Sequence, residues 1–414
     1  MKIDVSLFAI AVVVPVGAFV VPVAVPHRVI PLALHSTVDD NEDGRYSRRS
    51  FVNHVVTATA AGTVSTLSMG SKPAVAASST TSDLAGQIEL PPMGLGAWAW
   101  GDSLFWGYDK KNDDVLKDVF DYAINNSKSS TTLLDTAELY GLGRSEELIG
   151  KFSKDYDQSK IQVATKFAPL PIRTRASDVV KACKKSVQRL GRPIDLYQIH
   201  FPNVWSNAEY WDGLAMAFDK GLVKAVGVSN YGVDATRACH DALEKRGIQL
   251  ATNQIQMSLL YRWPEQNGLL QACDDLGVQV LSYSPLALGM LTGKYSKQNP
   301  PQGPRKALYE QLLTTPDYEN LLATMKGVAS SHGDEATLSQ VALNWARAKK
   351  TIPIPGARTL SQIQKNNEAL NWNMSPEEVA LLDREAAKVG TFIQPGANPF
   401  PKKDLNTGLR MYDS

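Results

Sequence analysis

Four side chains that can act together in proton transfer stand at or just beyond the ends of short apolar runs. Asp135 ends the run TTLLD, Lys166 ends IQVATK, and His200 ends IDLYQIH. Tyr140 lies a few residues beyond Asp135, in the stretch DTAELYG. If these runs are neighbouring parallel strands of a barrel, their carboxyl ends bring all four groups to one mouth.

These residue types suit the reduction of a carbonyl group, which needs a hydride at carbon and a proton at oxygen. A tyrosine can donate that proton, although its ordinary pKa is about 10. We expect the Lys166 ammonium to lower the pKa of Tyr140 by stabilising the phenolate, while Asp135 keeps Lys166 charged and oriented. His200 would hydrogen-bond the substrate oxygen and steer the carbonyl.

Each of these residues also has an ordinary structural interpretation. Asp135 alone can cap a helix, and Tyr140 alone can be a half-buried packing residue. Lys166 alone can end a solvated strand, and His200 alone can be a core histidine. It is their joint placement at successive strand ends that favours a catalytic site.

The elements that would hold these residues alternate between short apolar runs and amphipathic stretches from residue 87 onward, a pattern typical of βα units. Predicted strands cover 94–98, 131–135, 161–166, 194–200, 223–228, 251–256, 278–283 and 351–355. Predicted helices cover 113–124, 145–152, 177–190, 208–220, 233–246, 268–276, 338–348, 360–370 and, last, 376–388. Eight units in roughly 290 residues predict an α/β fold with a single (β/α)8 TIM barrel rather than a doubly wound sheet.

Glycines support these boundaries and exclude one nucleotide-binding fold. Predicted helices end in the C-cap manner before Gly191, Gly221, Gly247 and Gly277. The GLG stretches at 94–96 and 141–143 do not open a GxGxxG loop between a strand and a helix, and we interpret both as turns. A Rossmann dehydrogenase is therefore disfavoured, whereas a nicotinamide cofactor is not.

Composition and charge are those of an ordinary globular enzyme, with 43% hydrophobic and 21% charged residues and a formal net charge of +1. No basic excess indicates a nucleic-acid partner. Cys183, Cys239 and Cys273 lie far apart without metal-ligand spacing. We therefore expect core or helix-face thiols, with neither a disulfide framework nor a bound metal.

The amino-terminal residues differ from the rest of the chain. A charged start and an almost wholly apolar run at 5–25 predict a secretory-type signal cut near Phe19. Prolines in and after this run argue against a regular membrane span, with an uncleaved anchor as the alternative. The stretch Gly17-Ala18-Phe19-Val20 also resembles the cleavage site of the two-part plastid leaders of diatoms and related algae.

A second targeting-like unit follows the first. The pair Arg48-Arg49, a weakly apolar run and the exit AVAA at 74–77 resemble a twin-arginine export signal, and a hydroxyl-rich transit peptide is the alternative. Residues 78–86 are small and polar, as in a linker. The predicted organisation is a leader and linker at 1–85, the barrel at 86–390 and a loose tail at 391–414.

Localisation follows from this leader. It predicts delivery to a complex algal plastid, in the stroma or the thylakoid lumen, with the secretory pathway as the alternative. We expect no stable membrane insertion after processing.

Seven stretches of the barrel region resemble the aldo-keto reductase family. In chain order they are LDTAELYG, ATKF, DLYQIHFP, KAVGVSN, NQIQMSLLYR, SYSPLALGMLTGKY and IPIPGARTLSQIQKNN. The resemblance covers essentially all of 87–390 and implies NADPH-dependent reduction of an aldehyde or ketone. The catalytic tetrad of the family falls on Asp135, Tyr140, Lys166 and His200.

The same resemblance implies which residues contact NADPH or NADP+. Ser229, Asn230 and Gln254 would hold the nicotinamide carboxamide, and Tyr283 would stack on the nicotinamide ring. The loop after strand seven would lie along the pyrophosphate and present backbone N–H groups to it. Its matching residues are Ser284, Pro285, Leu286, Gly289, Leu291, Gly293 and Lys294.

The start of helix eight would bind the adenosine end. Gly356 precedes it, and Gln362 and Asn366 follow at helical spacing. Arg358 can bind the 2′-phosphate at a helix N-terminus, which favours NADPH over NADH. The alternative interpretation of Arg358 is an ordinary surface charge. Lys365 departs from the family, in which a glutamate often contacts the adenine amino group.

Aromatic residues at or beyond strand ends predict the walls of a substrate pocket for apolar or aromatic carbonyl compounds. The candidates are Trp98, Trp100 and Trp205, followed by Tyr261 and Trp263. The segment 296–318, rich in Pro, Gln and Gly, is predicted to be a mobile cover over the cofactor.

Two other functions are compatible with parts of this pattern. A regulatory or redox-sensor subunit would bind NADP and turn over slowly. A TIM-barrel hydrolase would use Asp135 and Glu138 as paired carboxylates, which leaves Lys166, Tyr283 and Arg358 unexplained. The predicted partner is a small-molecule carbonyl substrate, and the sequence sets no oligomeric state.

Overall fold

A computed structural model describes residues 82–84, 88–303, 305–391 and 401–412 of the 414-residue chain. The predicted leader, with the site near Phe19 and the pair Arg48-Arg49, lies outside the described residues. So do 392–400, within the predicted tail.

Eight parallel strands follow a short antiparallel hairpin. The hairpin consists of β1 (Ser82–Leu84) and β2 (Ile88–Leu90). The parallel strands are β3 (Gly94–Gly96), β4 (Thr132–Asp135), β5 (Ile161–Phe167), β6 (Ile194–Ile199), β7 (Val223–Ser229), β8 (Leu250–Gln256), β9 (Gln279–Tyr283) and β10 (Ile352–Pro353). They pair in chain order, and a parallel bridge between Gly96 and Gly356 joins the first to the last. The predicted barrel is therefore confirmed.

Helices cover the outside of this barrel. They are α1 (Asp113–Asn125), α2 (Arg144–Ser153), α3 (Ala176–Leu190), α4 (Asn207–Asp219), α5 (Val233–Glu244), α6 (Trp263–Gln266), α7 (Leu269–Asp275), α8 (Arg305–Leu313), α9 (Tyr318–Ser331), α10 (Leu338–Ala348), α11 (Leu360–Glu368) and α12 (Pro376–Val389). The predicted helices lie at these positions with small differences at their ends. The segment 296–318, predicted as a mobile cover, contains α8, because RKALYEQLL consists largely of strong helix formers.

Alternation along the strands separates a packed barrel interior from the mouth at their carboxyl ends. Leu133, Ala164 and Leu196 pack together inside the barrel with Ile88 and Leu90 of the hairpin. Side chains two residues apart on a strand point to the same face. The next inward positions toward the carboxyl ends are therefore Asp135, Lys166 and Gln198, and the hairpin closes the opposite end.

The glycine pattern has different causes at different positions. The four predicted C-cap glycines, Gly191, Gly221, Gly247 and Gly277, all have positive φ, as expected. The GLG at 94–96 is not a turn but strand β3. A Cβ on Gly96 would lie 2.9 Å from the Ile354 carbonyl oxygen, so glycine is needed where the barrel closes.

The predicted loose tail is wrong for residues 401–412, which pack onto the barrel. Met411 is fully buried, and its carbonyl accepts from the Gly232 backbone N–H at 2.7 Å. Asn207 donates to the Asp404 carboxylate at 2.8 Å. The tail therefore joins the loops that follow β6 and β7, and its buried apolar residues explain why it is held.

All three cysteines are buried, as predicted for core thiols. Burial raises the pKa of Cys183 and of Cys273 to about 12, so these thiols stay protonated. Across the described part of the chain, every helix is too short or too polar to span a bilayer.

Candidate active site

The carboxyl ends of β4, β5 and β6 bring the four predicted catalytic residues together. Asp135 is the last residue of β4, Lys166 lies near the end of β5, and His200 directly follows β6. Tyr140 begins the short 3-10 turn Tyr140–Gly143 in the loop after β4. The tetrad thus comes from three adjacent strands and one loop, as the sequence indicated.

Lys166 and Asp135 form a buried ion pair. The Lys166 Nζ lies 2.6 Å from Asp135 Oδ1 and 2.9 Å from the Thr136 carbonyl oxygen. The other Asp135 oxygen, Oδ2, accepts from Gln254 Nε2 at 2.7 Å. Burial lowers the pKa of Lys166, and the Asp135 carboxylate opposes that shift. Because both carboxylate oxygens have donors, the ammonium is held in one place.

Tyr140 lies against this ion pair. Lys166 Nζ is 3.4 Å from the Tyr140 hydroxyl and 5.0 Å from the centre of its ring. Burial raises the pKa of Tyr140 well above its ordinary value, and the Asp135 charge adds to the shift. The predicted lowering of the Tyr140 pKa is therefore wrong for the protein alone, because burial of the phenolate and the nearby Asp135 charge both raise it. The phenol is protonated at neutral pH, which is the state of a proton donor.

His200 is a neutral imidazole beside the phenol. Its ring meets the Tyr140 ring edge to face, with centroids 5.7 Å apart. Burial, reinforced by the Lys166 charge, lowers the pKa of His200 well below its ordinary value. Its Nδ1 is buried and has no hydrogen-bond partner among the described residues. A neutral ring of this kind can donate one hydrogen bond to a substrate oxygen.

A left-handed turn fixes the position of Tyr140. Gly141, Leu142 and Gly143 have φ of 57°, 55° and 98°. A Cβ on Gly141 would lie 2.5 Å from the Gly101 carbonyl oxygen, so only glycine permits this close approach. The turn predicted at 141–143 is therefore present, and it presses the tyrosine loop against the loop after β3.

The residues predicted for the nicotinamide form one network with the tetrad. Asn230 donates to the His200 carbonyl oxygen at 3.0 Å and accepts from the Tyr283 hydroxyl at 2.9 Å. Ser229 donates to the Gln254 carbonyl oxygen at 2.8 Å. Gln254 in turn donates to Asp135, as described above. The structure thus places all four predicted nicotinamide residues beside the predicted catalytic residues.

The loop after β9, predicted to lie along the pyrophosphate, is tightly turned. Ser284, Ala287, Leu288, Gly289 and Gly293 all have positive φ. Within this loop the N–H groups of Ala287 and Gly289 donate to the Ser284 and Leu286 carbonyl oxygens, at 2.8 and 2.9 Å, and the Leu291 N–H donates to Leu286 at 3.3 Å. Among the other predicted contacts, Pro285 and Leu291 are buried, Leu286 is half-buried and Lys294 is exposed.

In and just before α11, Arg358 donates to protein oxygens, whereas a buried amide nitrogen of Asn366 has no acceptor among the described residues. The Arg358 backbone N–H donates to Gln362 at 2.8 Å, and its guanidinium donates to the Trp106 carbonyl oxygen at 3.0 Å. Asn366 is 3% exposed, and its Nδ2 has no partner within the described residues. A charged guanidinium and an orphaned buried amide fit the anionic adenosine end of NADP(H). Gly356 is exposed at the barrel closure beside them.

An aromatic wall stands next to Tyr140. Trp98 stacks on Phe105 with centroids 5.0 Å apart and meets Trp106 edge to face at 5.3 Å. The Trp98 ring centre lies 6.4 Å from that of Tyr140. Phe105 and Trp106 were not selected from the sequence, although an FW pair in the loop after β3 was a signal. We call these three residues, Trp98, Phe105 and Trp106, the aromatic wall.

The other predicted pocket residues lie in different places. Trp100 is fully buried in the core and donates to the Ala357 carbonyl oxygen at 2.9 Å. Trp205 is 39% exposed and lines an open groove with Asn406. Tyr261 shares a 2.7 Å hydrogen bond with Tyr412 of the tail, and Trp263 begins α6.

The carboxylate pair expected of a hydrolase is not formed. Glu138 accepts from the Ala168 backbone N–H at 2.7 Å and from two nitrogens of Arg173, at 2.8 and 3.2 Å. Asp135 is engaged by Lys166 and Gln254. Since both carboxylates already have donors on their two oxygens, they do not act as a free acid and base pair.

Comparison with known proteins agrees with this geometry. The model of the aldo/keto reductase family matches residues 92–386. A chloroplastic pyridoxal reductase of Arabidopsis thaliana is 42% identical over 319 residues, 73% of this chain and 84% of that protein. The solved aldo-keto reductase Tm1743, bound to epalrestat, is 29% identical with a TM-score of 0.58, covering 72% of this chain and 96% of its own. An aldo-keto reductase of Klebsiella pneumoniae was solved with NADPH and has a TM-score of 0.59 at 23% identity. The match covers 80% of this chain and 99% of that one.

Proposed function

The chain belongs to the aldo/keto reductase family and is an NADP(H)-dependent oxidoreductase, and we propose that it reduces an aldehyde or ketone to an alcohol with Tyr140 as the proton donor. The observation that carries this proposal is the position of Lys166 Nζ, 3.4 Å from the Tyr140 hydroxyl and 2.6 Å from Asp135. When bound, NADPH supplies the hydride.

The protein side chains would donate the proton and orient the carbonyl oxygen. Tyr140 is protonated because burial raises its pKa, so it holds the proton that the substrate oxygen receives. As that proton leaves, the Lys166 ammonium stabilises the phenolate that forms. His200, held neutral by burial, would donate a hydrogen bond to the same oxygen and orient it.

Binding of the cofactor would use the network described above. Ser229, Asn230 and Gln254 would hold the carboxamide, with Tyr283 against the nicotinamide ring. The loop after β9, whose tight turns are set by its positive-φ residues, would lie along the pyrophosphate. At the other end of the cofactor, Arg358 would face the 2′-phosphate and Asn366 the adenine.

The aromatic wall favours a small aromatic aldehyde as the substrate. Trp98 lies beside Tyr140, so a flat ring stacked on it would have its carbonyl near the phenol. A relative that is 42% identical carries the name pyridoxal reductase, and pyridoxal is an aromatic aldehyde. We therefore include pyridoxal among the proposed substrates. The same relative is named as chloroplastic, which supports the plastid as the proposed location.

Tyr140→Phe tests the proton donor. We expect NADPH-dependent reduction of pyridoxal and of a panel of aldehydes to fall about a thousand-fold, because a benzene ring has no proton to give. NADPH affinity, measured by quenching of protein fluorescence, should stay within about twofold, because the hydroxyl is not among the proposed cofactor contacts.

Other outcomes would contradict the proposal. Near wild-type turnover in Tyr140→Phe would exclude Tyr140 as the acid. Tight NADPH binding by the wild type with no turnover across the panel would instead support a regulatory or redox-sensor subunit.

A further inference from the structure

Glu146 is a fully buried carboxylate that does not belong to the tetrad. It lies in the first turn of α2, which directly follows the turn that begins with Tyr140. Its Oε1 accepts from Thr165 Oγ1 at 2.5 Å, and its Oε2 accepts from Arg189 Nε at 2.5 Å. Burying a carboxylate costs free energy unless its oxygens have donors, and here each oxygen has one. Glu146 therefore connects α2 with β5 and with α3.

The connection to β5 ends beside Lys166. Thr165 precedes Lys166 on the strand, and successive side chains of a strand point to opposite faces. Glu146 thus holds the outer face of β5 at the point where its inner face presents the ammonium. Burial lowers the pKa of Lys166, and the carboxylates of Asp135 and Glu146 both oppose that shift. The same carboxylate supports the position and the charge of Lys166.

The connection to α3 ends beneath the turn that begins with Tyr140. Gly143 is the last residue of that turn, and a Cβ added to it would lie 2.8 Å from Arg189 Cδ. The Arg189 side chain therefore packs directly against the turn. Its guanidinium also donates from Nη2 to Ser186 Oγ at 3.2 Å, within α3. Because Glu146 and Ser186 hold both ends of the guanidinium, the surface on which the turn rests is fixed.

The helix dipole alone does not account for the burial of Glu146. A glutamate in the first turn of a helix stabilises that helix through its dipole. Glu147 lies in the same turn with a side chain that is 52% exposed, so α2 already has such a charge. A second carboxylate need not be buried for this purpose, and its desolvation costs free energy. The two donors that Glu146 holds give its burial a different use.

We propose that Glu146 is a positioning residue for proton transfer. Through Arg189 and Thr165 it holds the turn and the strand that set the 3.4 Å separation of the phenol hydroxyl from the lysine Nζ. The inference rests on the proposed function, in which Tyr140 is the proton donor. A displacement of about 1 Å at a reacting group can cost about 100-fold in rate. Since Glu146 is not among the proposed cofactor or substrate contacts, its effect falls on the chemical step and not on binding.

A single turnover of Glu146→Gln tests this role. The substitution removes the charge and keeps the shape of the side chain. The variant is loaded with NADPH and mixed with a saturating amount of the aldehyde that the wild type reduces fastest. We expect the rate constant to fall about ten-fold, with NADPH affinity and the aldehyde KM within about twofold of wild type. A loss of folded protein would lower the amplitude of the turnover but not its rate constant.

Two controls separate positioning from a general effect on the fold. Glu147→Gln makes the same chemical change at the next residue, which is exposed, and should leave the rate constant unchanged. Asp195→Asn removes a buried charge near the amino end of β6, where Asp195 pairs with Arg192 at 3.0 Å and Lys224 at 2.7 Å. It should lower stability in urea unfolding. Its single-turnover rate constant should stay at the wild-type value, because β6 begins at the end of the barrel opposite the tetrad.

A double-mutant cycle tests whether the two partners act together. Arg189→Met keeps an apolar stem beside the turn but removes the guanidinium, and should also slow the single turnover about ten-fold. The double variant Glu146→Gln/Arg189→Met should be no slower than the slower single variant, because both changes break one interaction. Losses that multiply would show that the two residues act independently, and the proposed connection would be overturned.

The remaining outcomes distinguish this inference from the proposed function. A wild-type rate constant in Glu146→Gln, or an equal loss in Asp195→Asn, would overturn the positioning role while an inactive Tyr140→Phe still supports the proton donor. Wild-type turnover in Tyr140→Phe would overturn the proposed function itself. Should Glu146→Gln not fold, Thr165→Val removes one hydrogen bond at nearly constant volume. A smaller loss of the same kind is then expected, and an unchanged rate constant would overturn the inference.

Discussion

The Lys166 ammonium and the Asp135 carboxylate lie 2.6 Å apart, and neither side chain is more than 3% exposed to solvent. Such a pair is weak support for stability by itself, because burying two charges costs about as much as their attraction returns. Its position against Tyr140 gives it a different use. It holds a positive charge 3.4 Å from the Tyr140 hydroxyl, where an ammonium can stabilise a phenolate once the proton has left.

Asp135→Asn should therefore damage both folding and catalysis. The Lys166 charge would lose its counterion inside the protein, which we expect to lower the free energy of unfolding by about 3 kcal/mol. Carbonyl reduction should fall at least about 100-fold. Urea unfolding and NADPH oxidation measure the two effects. Glu310→Gln breaks the exposed pair with Lys306 and should change stability by less than about 0.5 kcal/mol; a comparable loss there would contradict the argument.

The pH dependence should differ between the two directions of the reaction. Reduction needs Tyr140 protonated and His200 neutral. The raised pKa of Tyr140 keeps the phenol protonated, and the lowered pKa of His200 keeps the imidazole neutral. We expect kcat for reduction to be flat from about pH 6 to about pH 9. Alcohol oxidation needs Tyr140 deprotonated and should rise throughout that range. A fall in reduction centred near pH 6.5 would show that His200 titrates there, contrary to its burial.

The carboxyl-terminal tail should contribute measurably to stability. Met411→Ala removes a fully buried side chain and should cost about 3 kcal/mol in urea unfolding. Leu405 belongs to the same tail but is 74% exposed, so Leu405→Ala serves as the control and should cost less than about 0.5 kcal/mol. Equal effects of the two substitutions would mean that the tail does not pack as described.

Substrate preference should depend on the aromatic wall rather than on the outer groove. Trp98→Ala should raise KM for aromatic aldehydes about ten-fold, because a stacking surface next to Tyr140 is lost. For short aliphatic aldehydes the change in KM should be small. Trp205→Ala removes a tryptophan from the open groove. It should leave KM unchanged for both aromatic and aliphatic aldehydes. The reverse ranking would place the substrate in the groove instead.

Much of the barrel and the tetrad could be predicted from the sequence because their signals are local. Asp135, Lys166 and His200 each follow a short apolar run, and glycines such as Gly191 mark helix ends. Strand order in a parallel barrel then follows chain order, so adjacent strand ends necessarily meet.

The features that were missed depend on contacts between distant segments. Nothing near Arg358 in the chain shows that it contacts Trp106, and the burial of Met411 depends on loops of the barrel. Trp100 follows the end of a strand, as Trp98 does, but its side chain is buried in the core. The local sequence pattern does not distinguish a buried tryptophan from one that lines the pocket. The direction of the Tyr140 pKa shift likewise needed the depth of burial, because desolvation and the ammonium act in opposite directions.

The amino-terminal hairpin has a consequence for maturation of the protein. Ile88 and Leu90 of β2 fill the closed end of the barrel, and β2 pairs with Ser82–Leu84. A processing peptidase that cut beyond Leu84 would strip the partner strand from β2 and expose its edge. Cleavage at the predicted AVAA exit, residues 74–77, would leave the hairpin whole. If the predicted leader is removed, pairing of β1 with β2 limits where the cut can fall, and amino-terminal sequencing of the processed protein should find its first residue before Ser82.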